Sequence, residues 1–206
     1  MEKIFSDIII IKKIRDKLPK LFELANLESS RAGKIGMEVG SVREKIIIAL
    51  LIYKFGKENV ETEIPITEPE IDVKVFKKPI SIKTISSKYL TSIKLIWTVD
   101  AKKAIEFQKN YEPSCDMILT HINWEDTGGF YFIPVNVQNE VLKNIGKKNY
   151  IKLPKAGTNP RGVEMTGNAL KALINHSMTK QIEIDWKKEN INFKPYKKWI
   201  ELWKQN

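Results

Sequence analysis

Two runs of alternating side chains separated by a short turn constrain this chain more than any other feature. The first is Glu70-Ile71-Asp72-Val73-Lys74-Val75 and the second is Ile80-Ser81-Ile82-Lys83-Thr84-Ile85. A period of two sends successive side chains to opposite faces of an extended strand. Lys77, Lys78 and Pro79 between the runs predict a turn, so the segment reads as a β-hairpin. Asp72 then shares a face with Glu70 and Lys74, and Lys83 shares one with Ser81 and Ile85. Ile71, Val73, Val75, Ile80 and Ile82 face the other way. The return of the hairpin can bring Asp72 and Lys83 side by side.

Elements around the hairpin follow from the same rules. Apolar residues at Ile10, Ile14, Leu18, Leu21 and Leu24 predict a helix over 4–27, with Pro19 as a break or kink. The stretch 28–40, with Gly33, Gly36 and Gly40, reads as a loop. Ser41, with Glu44 three residues on, fits a capping box that opens a helix over 42–55, closed by Gly56. The centre of that helix, 46–52, is apolar nearly all round, which predicts burial on several sides. Further strands are expected at 60–66, 92–98, 117–123, 130–135 and 181–186, and further helices at 101–110, 137–145, 169–176 and 195–205. The expected fold class is α/β (α+β): one domain over 1–206, a mixed sheet flanked by helices, with a helical part over about 1–56 and a sheet core over about 57–206.

Charge and composition narrow the function. Lys and Arg number 35 against 25 Asp and Glu, a net charge of +10, which favours a polyanionic partner. The single cysteine, Cys115, cannot form an internal disulfide or a zinc cluster, so a reducing cytoplasm is expected. Only His121 and His176 could serve it as a base, and neither stands in a familiar cysteine-enzyme context. The apolar run 8–11 is too short for a leader and is followed by Lys12 and Lys13. No stretch approaches the roughly 18 apolar residues of a membrane span, so no membrane is expected.

An acid and a lysine on neighbouring strands suit phosphodiester hydrolysis. Mg²⁺ is typically held by one or two carboxylates plus water and phosphate oxygens, and a lysine can orient the attacking water or balance charge. The same pair also fits an exposed salt bridge. The residues Glu70-Ile71-Asp72, a short turn and Ser81-Ile82-Lys83, with Pro69 upstream, resemble the PD-(D/E)XK nuclease motif. They depart from it in two ways: Pro69 is not adjacent to Asp72, and Ser81 stands where an acid is expected two residues before the lysine. Several restriction endonucleases of this fold take that acid from a helix; Glu44 is the first candidate here, Glu38 the second and Glu70 the third.

Together with Glu44, Asp72 and Lys83, the segments 33–45 and 157–164 resemble the ThaI family of type II restriction endonucleases, over most of the chain. The resemblance implies a Mg²⁺-dependent homodimer that cleaves double-stranded DNA at the palindrome CGCG to leave blunt ends. It implies Glu44, Asp72 and Lys83 as catalytic residues. Asp72, Glu44 and Ile82 would be metal ligands, and Ile82 has only its backbone carbonyl to offer. A cognate DNA methyltransferase would protect the host. A repair or junction-resolving nuclease of the same fold, or a catalytically inactive DNA-binding module with Ser81 as its mark, are the alternatives.

The loop 155–164 suits base recognition. Arg161 could donate two hydrogen bonds to guanine, and Thr158 and Asn159 could reach bases or phosphates. Met37, between glycines, could wedge into an easily opened pyrimidine–purine step or lie in the core beneath its loop. Arg31, Lys34, Arg43 and Lys45 around it could contact phosphates. Trp97, Trp124, Trp186, Trp199 and Trp203 are expected in the core or a dimer interface, and His121 is expected to be hydrogen-bonded rather than catalytic.

Overall fold

Helical spacing in the first residues builds a layer on which the sheet rests. The computed structural model describes residues 1–31, 34–36, 38–65, 67–68, 70–155 and 162–205, with the backbone alone for Arg31, Lys198 and Trp199. Helix α1 spans Glu2–Ser6 and α2 spans Ile8–Glu28. Asp7 separates them and caps α2, its carboxylate accepting from the N–H groups of Ile9 (2.9 Å) and Ile10 (3.1 Å). Of the two outcomes expected at Pro19, the break does not occur: α2 is continuous through it. A helix-interior proline costs on the order of 3 kcal/mol. Burial of Ile10, Ile14, Leu18 and Phe22 along one face contributes roughly 1.5–3 kcal/mol for each, so the helix runs through.

Residues expected to form only a loop contain a small ribbon, β1 (Ser30–Arg31) paired with β2 (Lys34–Ile35). Helix α3 spans Val39–Phe55 and begins before Ser41. Glu38 takes the N-cap position without a side-chain bond, and Ser41 lies exposed within the first turns, so the capping box does not form. Arg43, Ile47 and Leu51 are the fully buried face of α3. The expectation of burial on several sides is corrected, because Tyr53 is exposed and Ile46 and Leu50 are only partly covered. Gly56 ends the helix at φ 86°, in the region glycine favours.

The remaining elements follow in order. They are β3 (Val60–Glu61), β4 (Val73–Val75), β5 (Lys78–Ser86), β6 (Ser92–Ile96), α4 (Ala101–Asn110), β7 (Asp116–Ile122) and β8 (Asp126–Ile133). Then come α5 (Val135–Ile145), α6 (Lys147–Tyr150), β9 (Ile151–Lys152), β10 (Val163–Thr166), α7 (Gly167–Ile174), β11 (Lys180–Trp186) and α8 (Lys197–Trp203). Strands β11-β8-β7-β5-β4-β3 form one six-stranded sheet in that order. The β5–β7 pairing is parallel and the others are antiparallel, so the sheet is mixed. A second, three-stranded antiparallel sheet has the order β6-β10-β9.

The hairpin forms as β4–β5, but its turn is shifted. Phe76 and Lys77 take the two central positions at φ 50° and 64°, while Lys78 and Pro79 belong to β5. Two left-handed central residues make the tight turn that matches strand twist. Phe76 is held there by an edge-on contact with Phe55 of α3, ring centroids 5.5 Å apart.

Alternation along β7 shows how the large sheet is buried on both faces. Ile118 and Ile122 point toward α1, α2 and α3, whereas Met117 and Leu119 point toward α5, α7 and the small sheet. The first core gathers Phe22, Ile47, Leu51, Val73, Ile80, Ile82 and Trp186. The second gathers Ile85, Leu95, Tyr131, Val141, Leu170 and Met165. Phe22 is the joint of the first layer: its ring lies 5.6 Å from that of Trp186 and 5.7 Å from the Arg43 guanidinium. Removing this ring empties a fully buried site. Phe22→Ala is therefore expected to lower stability by about 3–5 kcal/mol, read as a lower urea midpoint with little change in the slope of the transition.

Candidate active site

The β4–β5 ladder proper runs from Val75–Lys78 to Val73–Ile80. Its register would next set Asp72 opposite Ser81, and here β4 ends. The Asp72 N–H still donates to the Ile80 carbonyl at 3.0 Å. Beyond that the Asp72 side chain takes over from the missing strand. Its Oδ2 accepts from the Ile82 N–H at 2.5 Å, the Ser81 hydroxyl at 3.2 Å and the Lys83 Nζ at 3.5 Å. Both members of the Asp72–Lys83 pair are largely covered, with side chains 17% and 19% exposed. An extended residue projects its N–H and C=O to the same edge. The Ile82 carbonyl therefore opens on the same side as the Asp72 carboxylate.

Helix α3 brings a second acid to this place. Glu44 is half-buried and lines a cleft with Gly40, Lys83, Thr84, Lys94 and Trp97. Burial pushes the Glu44 carboxyl above the ordinary glutamate range; the neighbouring Asp72 charge raises it further and Lys83 offsets part of the effect. Glu44, Asp72 and Lys83 thus share one electrostatic environment. Among the described residues no three His, Cys, Asp or Glu side chains converge. The carboxylates offered here are therefore the Glu44–Asp72 pair, hard oxygen donors in the number that Mg²⁺ uses.

The other candidates lie elsewhere. Glu70 accepts a 2.6 Å bond from the Ser114 hydroxyl and borders a narrow pocket with Ser81 and Lys83. Glu38 is exposed at the start of α3, and its carboxylate lies over Gly36. Lys34 is exposed on β2. Arg43 is corrected: it is 5% exposed, its Nη2 donates to Asn26 Oδ1 at 2.7 Å, and burial lowers its pKa to about 10. It joins α2 to α3 and is not available to a phosphate. The side chain of Arg31 is not described, and Met37, Thr158, Asn159 and Arg161 lie outside the described residues.

Trp97 and Lys94 on the cleft wall carried no signal in the sequence that set them apart. Trp97 is exposed, with the Lys94 ammonium 3.8 Å from its ring centre. Trp203 is exposed too, whereas Trp186 is in the core with Trp124 edge-on against it. His121 is hydrogen-bonded, its Nε2 lying 2.9 Å from the Ser87 carbonyl.

Comparison with known proteins agrees with the geometry. The family model of the restriction endonuclease ThaI matches residues 4–205. A solved structure described as a restriction endonuclease in complex with substrate DNA is similar, at 57% identity and a TM-score of 0.92. The match covers 98% of this chain and 97% of that one. No curated protein matches the chain.

Cys115 stands close to the cluster and has a different character. It is buried, its Sγ lies 3.8 Å from the Glu70 carbonyl, and burial pushes its thiol up to about 11. The nearby Glu70 charge adds to that shift. A raised pKa keeps the thiol protonated, hence unreactive, until the pH passes well above that of a free cysteine. The native protein is expected to resist iodoacetamide at pH 8 and to take up one equivalent once unfolded; rapid alkylation of the native form would contradict this assignment.

Proposed function

This chain belongs to the ThaI restriction endonuclease family, and on that premise we propose that it is a type II enzyme hydrolysing both strands of double-stranded DNA at CGCG, with Mg²⁺ held by Asp72, Glu44 and the Ile82 carbonyl. The observation that carries the reading is that Glu44 and Lys83 line one cleft, while Asp72 is paired with Lys83 and its charge raises the Glu44 carboxyl. The donors are all oxygen, and Glu44, whose charge is disfavoured by burial, forms with Asp72 a carboxylate pair that suits a hard divalent cation. When bound, Mg²⁺ makes water more acidic and neutralises charge on the phosphate under attack.

The chain's own residues do the rest. Ser81 and the Ile82 N–H fix the Asp72 carboxylate. Lys83, anchored beside Asp72, directs its ammonium at the attacking water or the phosphate oxygens, where it stabilises developing negative charge. Attack by water forms one P–O bond and breaks another, and a proton passes to the departing oxygen. The net charge of +10 draws the duplex in.

A palindrome is matched by a two-fold pair of subunits, so the working form is a homodimer. Exposed Trp203, Tyr196 and Ile200 at the C-terminal end supply apolar surface suited to association. Arg161, Thr158 and Asn159 are proposed to read the site, Met37 to open its central step, and Arg31 and Lys34 to hold phosphates. Blunt ends, a cytoplasmic location and a cognate methyltransferase belong to the same reading. No helix among the described residues is long and apolar enough to cross a membrane.

Incubation of the purified protein with a long DNA of known sequence tests the proposal. Discrete blunt fragments ending at CGCG are expected with Mg²⁺ and none with EDTA. DNA binding without any metal-dependent cleavage would refute it. Asp72→Asn, Lys83→Ala and Glu44→Gln are each expected to slow cleavage by on the order of 100-fold to 1,000-fold, with binding to uncut DNA kept. Glu70→Gln should cost less than about tenfold, below the roughly 10–100-fold of a group that orients a metal ligand. The reverse ranking of Glu44 and Glu70 would show that the second carboxylate is wrong.

A further inference from the structure

Ser81 occupies the position where the motif would place an acid, yet its side chain is put to use. It is 5% exposed, and its hydroxyl donates to Asp72 Oδ2 across the end of the hairpin ladder at 3.2 Å. A second carboxylate at this point would face Asp72 at contact distance, whereas a hydroxyl faces it as a donor. Oδ2 thereby gathers three donors, the Ser81 hydroxyl, the Ile82 N–H and the Lys83 ammonium. Among the described residues no donor reaches Oδ1.

The torsion that turns an aspartate carboxylate about its last bond is soft and roughly two-fold. The Ile82 N–H alone restrains Oδ2 along the direction of one hydrogen bond, and Oδ2 can still swing across that donor as the carboxylate rocks about the Cβ–Cγ bond. A second short-range donor, arriving from a different direction, removes that freedom. Mg²⁺ demands near-ideal octahedral geometry, so the orientation of a ligand carboxylate matters as much as its presence.

We propose that Ser81 is a positioning residue that locks the Asp72 carboxylate through Oδ2 and presents Oδ1 to the cation, with Glu44 supplying the acid that this position lacks. The inference rests on the metal-dependent nuclease reading above. It explains why a serine suits this place: the position no longer binds the cation and instead orders the residue that does. Groups that orient a metal ligand typically change metal affinity by about 10–100-fold when removed.

The test uses the full chain and Mn²⁺ as the probe, its binding followed by electron paramagnetic resonance in the presence of uncut duplex in which the wild-type cleavage site carries non-hydrolysable linkages. Ser81→Ala is expected to weaken Mn²⁺ binding about tenfold and to move the Mg²⁺ concentration for half-maximal cleavage by the same factor. Duplex affinity in EDTA and the melting temperature should be unchanged, and Ser81→Thr, which keeps the hydroxyl, should recover most of the loss. Mn²⁺ binding by Ser81→Ala within twofold of wild type would overturn the proposal. So would equal impairment of Ser81→Ala and Ser81→Thr, since that points to packing instead of the hydroxyl. Failure of the underlying reading shows separately, in the wild type: cleavage that persists in EDTA, or no cleavage at all, overturns it and this inference with it.

Discussion

A side chain standing in for a strand is the constraint on which the rest of the structure turns. Strand β4 has three residues, Val73–Val75, and β5 has nine, so β5 outruns its neighbour. The buried Ile82 N–H would be left without a partner, at a cost of about 1–3 kcal/mol. Asp72 supplies the acceptor from its carboxylate. The group that completes the sheet is thus the group offered to chemistry, and its position is set by strand register instead of loop conformation. That register is fixed in turn by Val73, Val75, Ile80 and Ile82, which would all leave the first core if the hairpin slipped by one residue.

The second acid is placed by a different force. Glu44 comes from α3, whose position depends on Ile47 and Leu51 against the sheet and on Arg43 against Asn26 and Phe22 of α2. Residues 43 and 44 are consecutive, so burying the arginine toward α2 directs the glutamate around the helix toward β5 and the cleft. The guanidinium stays paired with a neutral amide and lies over an aromatic ring, in the field of Glu23. The cleft side is instead tuned toward negative charge that is costly to keep: burial and Asp72 both raise the Glu44 carboxyl. Such a site gains most from a cation, and Lys83 compensates for only part of the charge.

Much of this was legible in the chain because local rules and the fold agree. Alternation located β4 and β5, and α4 fell on its expected residues because Asp100 caps it, accepting from the N–H groups of Lys102 and Lys103. The misses have tertiary causes. The turn was misplaced because Phe76 and Lys77 carry no glycine or asparagine, and Phe55 holds the left-handed conformation. Strand β8 begins at Asp126, before its expected start, and runs through Gly128 and Gly129. A Cβ on Gly128 would lie 2.2 Å from the His121 carbonyl and 2.6 Å from the Trp186 indole nitrogen. Glycine is needed there for strands to pass beneath the indole. The burial of Arg43 could not be read, since Asn26 lies 17 positions away. For the site, the Asp72–Lys83 pair followed from pattern, while the use of Ser81 as a donor required the register to be known.

The cleft also ties the residues proposed to cut DNA to the segment proposed to read it. Gly162 follows that segment and sits at φ 105°, where a Cβ would fall 2.1 Å from the Ile96 carbonyl and 3.1 Å from the Trp97 Cα. Only glycine permits this approach. Ile96 and Trp97 line the cleft with Glu44 and Lys83. One end of the reading segment is therefore pinned to the wall of the site that holds the scissile phosphate in the proposed mechanism. Beyond Gly162, β10 pairs with β6, so the anchor belongs to a sheet and not to a free loop. A base contact next to Gly162 and a phosphate held in the cleft would then bear on one shared wall, so in the proposed mechanism recognition and cleavage are coupled through Ile96 and Trp97.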